Sequence, residues 1–273
     1  MFGILDFLYL ASFVSDFEFR ASNLNCMEIS IKAEEIFHIG IFPVTNTLLT
    51  SWLVVAVLCI LAFLISRNIK YVPGKIQNFF EFVIESLLGF FETIAGSREK
   101  AVKFFPIVAT IFLFVLLSNW MGILPGIGSI GFHEIHEEKE VFVPLFRSVN
   151  SDLNMTLALA LIAVVLSHLY GIWTIGFKHH VGKFLNFSGP VNFFTGILEA
   201  ISEFAKIISF SFRLFGNVFA GEVLLVIIAF LIPYLAPVPF LGLELFVGLI
   251  QALIFATLTM VSLISATEAH SEH

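Results

Sequence analysis

Six polar residues fall on one face of a long apolar segment. Glu199, Ser202, Lys206, Ser209, Arg213 and Asn217 are spaced three, four, three, four and four apart, which in an α-helix aligns them in one stripe. Phe, Leu, Ile, Val and Ala fill most of the sequence between them. A charged side chain at the centre of a bilayer costs roughly 2.5–3.5 kcal/mol. Arg213 must therefore meet water, an opposite charge or a working partner. Snorkelling to a helix end is a poor account of it, because apolar sequence continues far past it on the C-terminal side. Such a stripe offers the chemistry of ion and proton passage: carboxylate, ammonium, guanidinium, hydroxyl and amide in register. The structural alternative is a seam in which Ser and Asn glue two helices together. A purely structural seam seldom needs Glu199, Lys206 and Arg213 at once.

A second polar region follows. Glu222 lies nine residues beyond Arg213; at 100° per residue it faces the other way on a regular helix. On the next apolar segment Glu244 and Gln251 are seven apart and share a face. Antiparallel packing of the two segments would bring Gln251 near Arg213 and Glu244 near Glu222. Two carboxyl groups held close do not both ionise freely and titrate as a coupled unit. Asn119, Asp152 and His168 are candidates for an outer cavity. His168 keeps two readings, a satisfied hydrogen-bonding residue in an apolar helix or a proton relay.

The run around Arg213, RLFGNVFAGE, resembles the arginine signature of subunit a, the proton-channel stator of F-type ATP synthases. GLIQALIFATLTMVSLISA (248–266) is similar to that family's last helix, with its glutamine at Gln251. PGKIQNFFEFVIE, SNWMGILPG and SDLNMTLALAL resemble other family segments, so the likeness covers roughly residues 29–266. The resemblance implies a stator that packs against a ring of small proteolipid hairpin subunits, each with a membrane-embedded carboxyl group, and that meets a peripheral-stalk subunit and the rest of the complex. It implies two offset aqueous half-channels, with Arg213 between them. One would be lined by Glu199, Ser202, Lys206 and Ser209, the other by Asn217, Glu222 and Glu244. Gln251 would position Arg213 or bind the ring carboxylate. Relatives often pair an acid with a histidine where this chain has Glu222 and Glu244, so the identity of the relay group among Glu222, Glu244 and His168 stays open.

The elements that must hold these residues are membrane helices. Of 273 residues 58% are hydrophobic, 34 are Phe and only 13% are charged, too few charges for the surface of a soluble globule. Apolar runs long enough to cross about 30 Å of hydrocarbon recur, and they are continuous rather than alternating, which speaks against a β-barrel. The expected fold is an all-α polytopic membrane protein. Five spans fall at about 47–66, 104–124, 153–177, 191–230 and 241–267, with an amphipathic helix at about 76–95. Gln77, Glu81, Glu85 and Glu92 mark the polar face of that helix. The fourth span is too long to stand upright: forty residues reach about 60 Å. It must tilt steeply, or bend at Gly216 or Gly221, and it forms an antiparallel hairpin with the fifth. Residues 1–46 form an extramembrane or interfacial segment, in which ISIKAEEIFHIGIFPV has the partial alternation of a short hairpin. Residues 47–273 form one membrane domain.

Lys and Arg counts orient the chain. Residues 66–103 hold six, the acidic loop 126–152 two, and the short loop 178–183 two. This places the N-terminus outside and the C-terminus inside, in a bacterial cytoplasmic membrane, there being no Arg- and Ser-rich leader. A net charge of −7 argues against nucleic acid. There is no phosphate-binding glycine loop, nucleophile elbow or zinc motif, so no cofactor is expected and no catalysis by this chain. A secondary transporter would show internal repeats, which are not evident, and an intramembrane enzyme built on Glu and His would act as an isolated chain. The ring carboxylate, rather than this chain, would select H⁺ or Na⁺.

Overall fold

A computed structural model describes residues 33–39, 42–67, 69–124, 130–136, 139–184, 189–232 and 236–268. Among the described residues seven α-helices dominate: α1 Asn46–Arg67, α2 Lys75–Ala95, α3 Arg98–Ile123, α4 Leu153–Ile175, α5 Phe177–Phe184, α6 Pro190–Leu231 and α7 Pro237–Thr267. Five of them (α1, α3, α4, α6 and α7) are long and apolar enough to cross a membrane. Their positions match the expected spans closely. The main difference is α3, which starts at Arg98 rather than near 104. Ser97 caps it, accepting the Lys100 backbone N–H at 3.3 Å, so the basic residues Arg98, Lys100 and Lys103 belong to its first turns. Gly96 ends α2 just before, at φ 68°, in the left-handed region that glycine enters without strain.

Two antiparallel hairpins accompany the helices. β1 (Glu35–Ile39) pairs with β2 (Phe42–Thr45) within the stretch expected to fold back on itself. β3 (Gly131–His136) pairs with β4 (Lys139–Pro144) in the acidic loop, where the sequence reading placed no strands. Charge dominates that loop, and the alternation beneath it in GFHEIH and KEVFVP is short.

The core lies where α3 and α4 meet α7. Phe104, Val108, Val115, Ala160, Ala163, Ala252, Ala256, Met260 and Leu263 are all buried there. Gly248, Ala252 and Ala256 recur every four residues on α7, a small-residue stripe that lets helices approach closely. A Cβ at Gly248 would stand 3.1 Å from the Cβ of Asn119 on α3. Helix α6 packs principally on α4. Of its 42 residues only Gly196, Phe210, Ser211 and Leu214 are buried. It runs as one continuous helix through Gly216 and Gly221, so neither glycine breaks it, and it spans about 63 Å.

Candidate functional site

Helix α6 buries one face and leaves the polar stripe off it. Phe210, Ser211 and Leu214 face inward, with Ser211 Oγ 3.1 Å from Thr156 Oγ1 on α4. Ser202, Ser209, Arg213 and Asn217 are exposed, while Glu199 and Lys206 are half-buried. Arg213 Nη2 donates to Ser209 Oγ at 3.4 Å, one turn back along the stripe. Lys206 Nζ donates at 2.6 Å to Glu203, an acid absent from the sequence reading of the stripe. Gln251 is buried on α7 and its Oε1 accepts from Asn217 Nδ2 at 2.8 Å. Arg213, the neighbour its spacing suggested, lies one turn back from Asn217 on the same stripe.

One end of α6 is stitched by contacts between elements. Glu222 is clamped by Arg147, with Nε 3.2 Å from Oε1 and Nη2 3.2 Å from Oε2. The Arg147 side chain is only 9% exposed, and its backbone N–H donates to Thr50 Oγ1 of α1 at 3.2 Å. The Glu244 carboxyl packs against Gly221 where any Cβ would collide with it, and its Oε2 is buried without a hydrogen-bond partner. The Glu244 carboxyl thus lies against the residue that precedes Glu222. Asn119 and Asp152 lie at this same end, and both are buried. Asn119 donates to the Gly248 carbonyl at 3.1 Å and accepts from Asn150 at 2.7 Å. Asp152 caps α4 through the Asn154 backbone N–H at 2.9 Å and accepts from Thr47 of α1 at 3.0 Å. These bonds join elements to one another.

The other end opens into a cleft of about 500 Å³, with Glu199, Ser202, Glu203 and Lys206 on one wall and His168, His180 and Lys183 opposite. His168 corrects an expectation: it was grouped with Asn119 and Asp152, but it sits sixteen residues down α4 from Asp152, about 24 Å away along the axis. Its Nδ1 is 3.1 Å from His180 Nε2, and its Nε2 is 3.6 Å from Glu203 Oε2. Burial pushes the His180 imidazole below the ordinary histidine range, helped by His168 and Lys183 and opposed by Glu203. Below the cleft, Lys183 Nζ donates to the Glu268 carbonyl at 2.8 Å and Lys100 Nζ to the Glu268 carboxylate at 2.7 Å. The Lys100 hydrogen bond, then its charge, holds that carboxyl below the usual carboxylate range.

Glu199 and Glu222 are 23 residues apart on one helix, about 35 Å. Arg213 stands between them, about 21 Å from the first and about 14 Å from the second. The arrangement therefore has two polar regions at opposite ends and an exposed guanidinium in the gap. Among the described residues no group of three His, Cys, Asp or Glu side chains can hold a metal ion.

Arg147, Glu203 and His180 were not legible as site residues. Glu203 carried a usable signal, being four residues after Glu199 and three before Lys206. Arg147 carried none: in the sequence it is one more charge in an acidic loop.

The model of the ATP synthase A chain family matches residues 48–263. ATP synthase subunit a of Desulfotalea psychrophila is 37% identical over 223 residues, covering 80% of this chain and 82% of that protein. The subunit a of Campylobacter jejuni is 34% identical over 240 residues, covering 87% and 91%. That of Gloeobacter violaceus is 36% identical over 232 residues, covering 84% and 86%. Likeness of this extent leaves no part of the polar stripe outside the match, and the chain belongs to the ATP synthase A chain family.

Proposed function

We propose that this chain is the proton-translocating stator subunit of an F-type ATP synthase and carries no catalytic site of its own. The observation that carries the reading is the exposed Arg213 on an apolar helix, between two polar regions at opposite ends. Family membership supports the complex; the residue roles are those the family resemblance implies, and the exposed charge of Arg213 agrees with them.

The cleft end, bordered by the basic residues Lys100 and Lys183, faces the cytoplasm of a bacterium, so the N-terminus lies outside and the C-terminus inside. Residues 47–273 act as one membrane domain, with 1–46 as an extramembrane or interfacial segment. The partners are a ring of small hairpin subunits along the exposed face of α6, a peripheral-stalk subunit, and lipid elsewhere. Protons enter from outside through the region of Asn217, Glu222, Glu244 and Arg147 and protonate a ring carboxylate. The neutral carboxyl crosses lipid, where a bare charge is costly. On completing the circuit it meets the cleft of Glu199, Ser202, Lys206 and Ser209 and gives the proton up. Arg213 favours the ionised carboxylate by Coulomb attraction where water is scarce, and its positive charge in the gap opposes direct proton passage. Gln251 orders the stripe through Asn217.

The test uses the assembled complex in sealed vesicles, wild type against Arg213→Ala. ATP-driven acidification is recorded, and passive leak is recorded separately under an imposed gradient. We expect pumping to vanish with assembly intact and leak to rise. Normal pumping would reduce Arg213 to a structural charge and remove the reading.

A further inference from the structure

We infer that the loop from Ile69 to Gly74 and the first turns of α2 form a foot that lies in the cytoplasmic leaflet and takes anionic phospholipid headgroups. The inference rests on the inside placement of this loop given above, and not on the route that protons take.

Helix α1 sets the height of the loop. Its 22 residues reach about 33 Å, close to the thickness of a hydrocarbon core, about 30 Å. Arg67 ends it, with its guanidinium carbon 5.9 Å from the centre of the Phe63 ring. The chain therefore leaves the hydrocarbon just before Ile69 and runs on at headgroup level.

There it holds apolar side chains outward. Tyr71 is fully exposed, and Ile69, Val72, Ile76 and Phe79 are 61–83% exposed. Water is a poor solvent for five such side chains on adjoining segments. Their presentation is fixed by Gln77. Its side chain accepts from the Lys70 backbone N–H at 3.1 Å and donates to the Lys70 carbonyl at 3.0 Å, so both ends of one amide pin the loop to α2.

The protein itself gives this region little to lie on. Among the described residues of α2 only Phe91 and Ala95 are buried, both towards its C-terminal end. Ile76, Phe79, Val83 and Phe90 follow at three, four and seven residues, on one face. Glu81, Glu85 and Glu92 lie on the opposite face. That is the division of a helix lying in a membrane surface.

Charge selects the lipid. Arg67, Lys70 and Lys75 are exposed, and no acid stands between Arg67 and Phe80. Basic residues beside a span attract the anionic cytoplasmic leaflet, and a tyrosine places an apolar ring and a hydroxyl across the headgroup boundary. Bilayer surrounds α1 as far as Arg67, so the foot continues a surface that the chain already meets.

The experiment uses the assembled complex in vesicles of phosphatidylcholine and phosphatidylglycerol. The complex's other cysteines are replaced by serine, and a fluorophore is attached to a Val72→Cys variant. Each lipid in turn carries bromine on its acyl chains near the headgroup and quenches on contact; acrylamide quenches from water. Acrylamide should reach the label poorly. Brominated phosphatidylglycerol should quench about fivefold more effectively than brominated phosphatidylcholine at equal mole fraction, the preference that one lysine near an anionic surface confers. Lys70→Gln combined with Lys75→Gln should make the two lipids equal and still keep the label from water. Full access of acrylamide would place the loop in water. Exclusion of acrylamide with no quenching by either lipid would place another subunit over it. Either result overturns the foot, and equal quenching by the two lipids with both lysines present overturns the anion preference. Tyr71→Cys carries the same label should Val72→Cys fail to assemble. No reading here passes through Arg213, so normal pumping by Arg213→Ala would overturn the stator reading separately.

Discussion

The two ends of α6 solve opposite problems. At the cleft end the polar groups open to a space of about 500 Å³ and mix short-range pairs with pairs across helices, His168 with Glu203 and Lys183 with Glu268. Glu203 and Lys206 are three residues apart, and His168 and His180 twelve. At the other end long-range links join buried and half-buried side chains. Arg147 reaches Glu222 across 75 positions, Asn119 reaches Gly248 across 129, and Thr47 reaches Asp152 across 105. A wet mouth needs little architecture, because water solvates whichever charge is present. A route through a dry region must be built from fixed donors and acceptors, since an unpaired buried charge is expensive. The same polar residue types therefore mean exchange at one end and scaffolding plus transfer at the other.

The sharpest way to break this contrast is Arg147→Ala. It strands the half-buried Glu222 carboxylate, and the complex should lose about 1–3 kcal/mol, read as a fall in thermal stability or failed assembly. Adding Glu222→Gln should recover much of that loss. If the single variant is as stable as wild type, the Glu222 end is wetter than its contacts say. Next in size is Gly221→Ala. The new methyl would occupy the place of the Glu244 carboxyl, an overpacking of about 1–3 kcal/mol. Pumping should drop about tenfold or more; wild-type pumping would show that the Glu244 carboxyl can sit elsewhere. At the wet end, Glu199→Gln should assemble normally and slow transport only severalfold, a loss of about 1 kcal/mol, because water and Glu203 remain beside it. Unchanged flux would take Glu199 off the path.

The smallest effect belongs to Lys100→Ala. The Lys100–Glu268 pair is exposed, at 46% and 57% for the two side chains, so its removal should cost no more than about 0.5 kcal/mol. The Glu268 carboxyl is held below its ordinary range. Its contribution is therefore present above about pH 4.5 and is lost as pH falls through the depressed value. Thermal melts of wild type and variant should differ slightly at pH near 7 and converge in acid. A large gap at neutral pH would mean that this exposed pair does more than surface pairs do.

Sequence and structure agree best where the signal is local. The five spans follow from continuous apolar runs, because a hydrocarbon core sets the length of a helix that crosses it. The stripe from Glu199 to Asn217 follows from helical spacing alone. Antiparallel geometry suggested Glu244 as a neighbour of Glu222, and the structure has its carboxyl against Gly221. What went unread is both local and long-range: the β3–β4 hairpin and Glu203 beside Glu199, as well as Arg147 against Glu222. Gln251 bonds Asn217, one turn beyond Arg213; helical phase gives the face of α7 but not its height against α6. His168 was expected with Asn119 and Asp152; a lone histidine in an apolar helix has no mark of which end it serves.

By itself, the amino-acid sequence determined that this chain lies in a membrane, how many times it can cross, and that one helix has a charged face needing a partner. Those are consequences of solvation and of 100° per residue, which act within a segment. Only the tertiary structure decided that Arg147 holds Glu222, that Glu203 and His180 complete the cleft, and that Arg213 stands exposed between two separate polar regions. Those pairings join residues brought close by helix packing, where small side chains at Gly171, Gly221 and Gly248 set which groups touch. No property of any one segment contains that information.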